Sequence, residues 1–573
     1  MNRLRLNAAG YSLVTTMLMI TLFFLLGLTI FTVAVQQARF TTVRVENIES
    51  FHEAKTALNE AIAELKAELS DDDFFVRHDI FTPSQWDAFL GINEDTPSPE
   101  TIVGKLKARY GVEVEDVSYR LYNIPTNKVF LRALNLSKPF TDGHRERKVK
   151  RLVFLTNTPS FLKYALGSNK DVVLNGGVYV EKGNVYAGQD AYASNATNYV
   201  KQNGQLTVAS PNAGMPRLSS SSVWYTSDGQ LMACGQTTSC WTASQTRFSM
   251  SGSWTPLWPT DVVEPAPSTK QENEDFIDVD FDLTVADKLL QASDISRTSD
   301  SYLEDIQRVQ EATDKANALR YLAVELSNRW TPIVIDSTVP IEKAIKQSSK
   351  EKPLYLDGSG VLTGDVDIRT DAANKVNQWL IVNGDLTLNG PTNSNHFINV
   401  YGNFIVFGNM TITGNVKLDA SIYVMGKTKI YQSRVERAES GKGVVLLSKG
   451  TLDLSRINEF DNPSPTPNLK GYFYTDSSAT IYAVGSYLYI EGGLFARGNG
   501  ATAPDADVEG LVVNAFRGQV NGDNGEPGQF TPINDPLSSR LIVRYRPEVL
   551  IEQGTGLPFV NRLSLVVDRL EVK

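Results

Sequence analysis

The side chains best equipped for chemistry are carboxylates in short runs. Asp365 and Asp367 stand two apart and share one face of a strand, as paired carboxylates for work on a sugar would. Asp505, Asp507, Glu509 and Gly510 imitate the first half of a calcium loop, but Phe516 stands where the closing bidentate Glu is required. A solvated acidic turn is the other reading. Asp278, Asp280 and Asp282 alternate with Val279, Phe281 and Leu283, the pattern of the wet face of an edge strand. His52, His78, His144 and His396 are scattered, and His144-Arg145-Glu146 lacks the P-C-x-x-C that completes a deaminase site. Cys234 and Cys240 are too few for a zinc site or a disulfide framework. In an oxidising compartment they close a small disulfide loop. These residue types point to no catalytic residue, no metal and no cofactor.

Charge narrows the partners. The net charge of −10 over 573 residues argues against nucleic acid, since phosphate neutralisation needs a basic stripe and Arg145 to Arg151 is only a short cluster. Trp224, Trp241, Trp254 and Trp258 fall in one Ser-, Thr- and Asn-rich segment. Their flat faces suit the sugar rings of a surface polysaccharide, or else form the core of that segment.

The elements that must carry these residues begin with an apolar stretch. Tyr11 to Val35 contains no charged residue, and as a helix it spans about 37 Å, enough to cross a bilayer. A cleaved secretory signal is the alternative, but the run exceeds an ordinary h-region and passes into further helix. Phe51, Ala54, Leu58, Ile62, Leu65 and Leu69 recur at steps of three and four, and Asp71, Asp72 and Asp73 stop the pattern. Short helices are expected at Gln85 to Leu90 and Pro99 to Tyr110. Strands are expected at Val117 to Tyr122, Lys128 to Asn135 and Lys148 to Leu155.

Further on, Gly384, Gly390, Gly402, Gly408, Gly414 and Gly426 share a six-residue register, with His396 and Ala420 in the gaps. Most open a unit of Gly, Asn or Asp, apolar, any, apolar, such as Gly408-Asn409-Met410-Thr411-Ile412; Gly183-Asn184-Val185-Tyr186-Ala187 is an earlier copy. Gly followed by Asn or Asp supplies corner geometry, and the three-residue strand sends its outer members to one face. Three hexads make an eighteen-residue turn of a parallel β-solenoid. Val444 to Leu454, Gly471 to Tyr489 and Leu541 to Leu550 are strand-rich without the period and extend or cap it. Residues 190–350 read as an insertion with a helix from Tyr302 to Arg329, and Asn521 to Gly525 as an exposed loop.

Two resemblances follow from these strings. Leu6-Asn7-Ala8-Ala9-Gly10-Tyr11-Ser12-Leu13-Val14, behind Arg3 and Arg5, resembles the class III signal of type IV pilins and pseudopilins. The resemblance implies cleavage between Gly10 and Tyr11 by a prepilin peptidase, a small antiparallel sheet behind the helix, and other pilins or pseudopilins as partners at the cytoplasmic membrane. Pilins carry Glu at the fifth mature position, where this chain has Thr15; minor pilins and tip-type pseudopilins tolerate that loss. A plain single-pass anchor is the alternative. The glycine units are similar to those of bactofilin-like β-helices over roughly 355–430, with a fragment near 171–188.

The expected fold class is α+β with a dominant all-β part. It comprises a leader (1–10), a transmembrane and amphipathic helix (11–70), a small pilin-like α/β region (71–160), a first solenoid segment (161–189), an inserted subdomain (190–350), and a parallel β-solenoid with C-terminal strands (351–573). The expected function is a structural, membrane-anchored part of a pilus or secretion machine, with a cytoplasmic N-terminus and an extracytoplasmic bulk. A stand-alone surface adhesin or scaffold and an anchored polysaccharide-active enzyme are the rivals. Against the enzyme, Asp365 occupies a corner position where Asn and Asp recur for conformational reasons.

Overall fold

The computed structural model describes the chain apart from residues 1–7, 70–82, 93–97, 123–130, 143–144, 157–159, 202, 209–212, 221, 228, 235–239, 245, 252–253, 257–268, 272–278, 297–298, 334–339, 371–375, 393–394, 439–442, 524–525, 547–557, 559–563 and 573. Asp71 to Asp73, Asp278, His78, His144 and Trp258 lie outside the described residues. The chain divides into two compact units, Met1–Thr156 with Leu565–Lys573, and Asn157–Ser564. It is mixed α+β, with a large, mainly parallel sheet in the second unit and a small sheet in the first.

The first unit is built on helix α1 (Ala8–Leu69). Its later face buries Ala54, Leu58, Ala61, Ile62, Leu65 and Leu69, the stripe that the three-and-four spacing predicts. That stripe packs against strands β2 (Leu131–Asp142) and β3 (Arg145–Thr156) and helix α3 (Ile102–Tyr110). Helix α2 (Pro83–Leu90) adds the fully buried Trp86. The sheet order is β1 (Glu113–Asp116), β2, β3 and β4 (Ser564–Val572). The β1–β2 and β2–β3 pairs are antiparallel. Two sequence expectations change here. Val117 to Tyr122 is not a strand: the Asp116 carboxylate accepts from the Ser118 amide at 2.8 Å and opens helix α4 (Ser118–Tyr122). And β4 returns from the end of the chain to the first sheet, so 565–573 does not belong with 351–564.

The second unit stacks parallel strands in rows. One row runs through Leu380, Phe404, Ile422, Leu446, Phe473 and Leu494 at successive levels. The next level is Leu166, then Val185 and Trp224. The early fragment is thus inserted beyond the C-terminal strands in the stacking order. Strands within 190–271 continue the same rows: Leu231–Cys234 lies parallel to Ala191–Ser194, and Thr269–Gln271 to Trp224–Thr226. The first half of the expected insertion is therefore part of the sheet. An eighteen-residue step occurs between Phe404 and Ile422, whereas Leu380 to Phe404 and Ile422 to Leu446 are 24 apart, because longer corner loops intervene.

One continuous apolar interior runs through these levels. The outward residues of the first row, Tyr355, Ile381, Ile405, Tyr423, Leu447, Tyr474 and Phe495, are covered by α5 (Phe281–Ala292), α6 (Asp300–Glu311) and α7 (Lys315–Leu326). The expected helix from Tyr302 to Arg329 is thus two, broken where Asp314 caps the second. Helix α8 (Ile341–Gln347) sends Ile345 into the apolar interior beside the first strands of the rows.

Candidate functional site

From Leu13 to Ile48, α1 turns its large apolar side chains outward, Phe23, Phe31 and Phe40 among them. None of the most apolar window is buried, and the helix is long and apolar enough to cross a membrane. Its hydroxyls are reconciled with apolar surroundings by bonding back along the helix. Thr21 donates to the Met17 carbonyl at 2.7 Å and Thr32 to Leu28 at 2.7 Å. Thr15 lies on this exposed stretch and brings no charge to it. Gly10 and Tyr11 fall in the helical backbone of α1, and the Tyr11 side chain lies outside what is described.

The outer half of α1 is fixed to its sheet by specific contacts. The Ser50 hydroxyl accepts from the Thr141 amide at 3.1 Å, and the Phe51 and Phe140 rings meet edge-on at 5.5 Å. Glu64 accepts from Tyr110 at 2.6 Å and pairs with Arg109 at 3.1 Å, while Glu68 pairs with Lys105 at 2.8 Å. Arg132, 3% exposed, lies between Asp87 at 3.2 Å and Asp116 at 3.6 Å. A buried guanidinium held by two carboxylates from different elements sets how α2, β1 and β2 meet.

The carboxylate runs are absorbed by structure. Asp365 accepts from the Asn399 amide at 2.7 Å and its side-chain amide at 3.1 Å. Asp367 is burdened by burial, which alone would raise its pKa, but its ion pair with Arg369 holds it below the usual carboxylate range. Asp507 pairs with Arg247 and accepts from Ser249 at 3.0 Å. Asp280 is not on a strand: it caps α5, accepting from Leu283 at 3.0 Å, and Asp282 on that helix binds Lys449 at 2.6 Å. Cys234 and Cys240 are joined as a disulfide. They sit in a buried cluster with Trp241, Phe248, Val173, Tyr482 and Val512. Trp224 is 0% and Trp241 3% exposed, so these two rings are core and not a platform for sugars.

The recurrent Gly-Asx pairs have a physical role that the sequence showed only as a pattern. Ser359, Asp385 and Asn409 each accept, through a side-chain oxygen, the amide of the residue one level further on: Asp385, Asn409 and Lys427, at 2.9, 2.6 and 2.9 Å. Asn184 does the same for Val223 at 3.1 Å. The glycines before them stack so closely that a Cβ on Gly408 would lie 2.6 Å from the Gly384 carbonyl carbon, and one on Gly426 2.5 Å from the Gly408 oxygen. At those positions close approach, not unusual backbone angles, requires glycine; Gly402 and Gly414 do have positive φ, at 136° and 68°.

No protein-family model and no curated protein matches the chain. Among solved structures it is similar to the competence-associated pilin ComZ from Thermus thermophilus, at 11% identity over 92% of this chain and 97% of that one, with a TM-score of 0.16. A likeness this distant supports no inference about this chain.

Proposed function

We propose that this chain is a membrane-anchored, non-catalytic structural component of a type IV pilus or related secretion machine, of the minor-pilin or pseudopilin kind. The observation that carries it is the two-part nature of α1, a wholly exposed apolar half continuous with a half packed on a small antiparallel sheet. An exposed stripe of that length has no favourable place in water and is accommodated by lipid or by the helices of a filament. In this reading the rows of the second unit wind as a β-solenoid on the extracytoplasmic side. A stand-alone anchored scaffold shares the same helix and is the second reading.

Thr15 separates the two. In pilin-type filaments a fifth-position carboxylate neutralises the amine of the subunit ahead, inside a low-dielectric core where an unpaired charge is costly. A subunit with Thr15 offers no such partner and is favoured where none lies ahead, at the tip. Immunogold labelling of sheared filaments tests this: gold at one end supports the tip role, gold evenly along the shaft contradicts it, and gold absent from filaments favours the scaffold. Thr15→Glu should move label into the shaft.

A further inference from the structure

The larger unit carries a polar groove of about 740 Å³ along one corner of its rows, a volume in the range of ligand-binding clefts. Successive levels contribute to it, through Asn395, Asn415, Gln432 with Arg434, and Arg456 with Asp461.

Its backbone is unusual. Six non-glycine residues among those described have positive φ, and three of them line the groove: Gln432 at 46°, Arg456 at 55° and Asn458 at 48°. The pairing of Met410–Val424 with Thr428–Arg437 slips between Ile412 and Gly414, leaving Gln432 as part of a bulge. One level earlier the same corner is turned by Gly414, which adopts its φ of 68° without strain. Long polar side chains placed where glycine is the easier choice, together with a bulge that re-aims them, are the usual marks of a site held for a ligand. Ser433, which lines the groove and is 6% exposed, has a hydroxyl with no hydrogen-bond partner among the described residues.

The lining decides the ligand class. Arg434 lies between Glu436 at 3.4 Å and Asp461 at 3.5 Å, and Arg456 pairs with Glu459 at 2.8 Å and Glu526 at 3.7 Å. Each guanidinium is already balanced by carboxylates, so the groove offers no excess cation to a phosphate or sulfate chain. The lining contains no apolar side chain, so it has no pocket that would select the side chains of a peptide. What remains is a series of amides, guanidinium edges and carboxylate oxygens repeated at the strand spacing of about 4.8 Å. Hydroxyl groups, which both donate and accept, match that mixture.

We propose that this groove binds an extended neutral oligosaccharide. The site belongs to the larger unit alone and is independent of how the chain is anchored.

Titration calorimetry on the full chain in detergent tests it, with cellohexaose, maltohexaose and chitohexaose as probes and a dodecamer of deoxythymidine and hexaglycine as comparisons. At least one hexasaccharide should bind saturably. Arg434→Ala and Asn395→Ala, both on the exposed wall, should each weaken it by about tenfold or more, with an unchanged melting temperature. Thr387→Ala, half-buried and outside the groove lining, should leave it unaltered. Failure of all three hexasaccharides to bind, binding indifferent to both wall variants, or binding of the oligonucleotide or peptide alone would overturn the proposal.

Discussion

In the smaller unit, β1, β2 and β3 pair with their neighbours in sequence, and the register Leu131↔Thr156 to Asp142↔Arg145 forms one hairpin. In the large parallel sheet of the larger unit the paired residues stand eighteen or more positions apart, as Phe404 and Ile422 do, and Leu494 meets Leu166 across most of that unit's sequence. The first arrangement is stabilised by one helix stripe laid across a sheet face, so its core is a local inventory of α1, α3 and the hairpin. The second depends on apolar side chains stacking in register level after level, and a fault at one level is passed to those on either side. The units are nevertheless tied covalently, because β4 reaches the first sheet only after the whole second unit has been traversed.

The contrast predicts unequal and separable effects. Gly414→Val should be the most damaging change, since its Cβ would lie 2.0 Å from the Gly390 carbonyl oxygen at a φ of 68°. Clash and strain together should cost about 3–5 kcal/mol, lowering the melting transition of the larger unit, whereas Thr411→Val in the same strand should shift it by less than about 0.5 kcal/mol. Equal shifts for the two would contradict the close-stacking account.

Leu58→Ala should come next. Leu58 is fully buried between α1 and its sheet, and truncation there costs about 2–4 kcal/mol. Calorimetry should show this loss in the smaller unit's transition only. A common shift of all transitions would mean that the two units melt as one.

A smaller, pH-dependent effect is expected in the larger unit. Burial pushes the Asp453 carboxyl up to about 6, against the pull of Lys429 at 3.5 Å. The folded state therefore binds this proton more tightly than the unfolded chain, whose value is near 3.8. The contribution is fully present below the unfolded pKa and is lost as pH rises through the folded one, between about pH 4 and 6. Asp453→Asn should raise stability at pH 7 by about 1–3 kcal/mol and change little at pH 4. Stability measured by denaturant titration at both pH values checks the sign; a larger gain at pH 4 would contradict it.

The same contrast explains what was legible in the sequence. The helix was visible because an uncharged run and a three-and-four stripe are local signals, and the glycine register was visible because the closest-stacked levels repeat it. The later levels, from Val444 to Arg544, hold the same rows without a period, since their corner loops differ in length. Asp280 and Asp282 misled because a short alternation also fits a helix start, with Asp280 capping and Phe281 and Val285 turned inward. The return of β4 left no local signal at all: its partner strand lies at the other side of the inserted unit. Nor did the groove, whose residues are ordinary polar types and stand out only through their backbone angles.

The most direct test of the central claim is the N-terminus of the protein extracted from membranes, read by intact mass or Edman chemistry. A mature chain that begins at Tyr11 and stays with the membrane after alkaline extraction is the predicted result. A chain beginning beyond Val35 and released in soluble form would show that the exposed helix is a signal, and would contradict the anchored pilin-like reading.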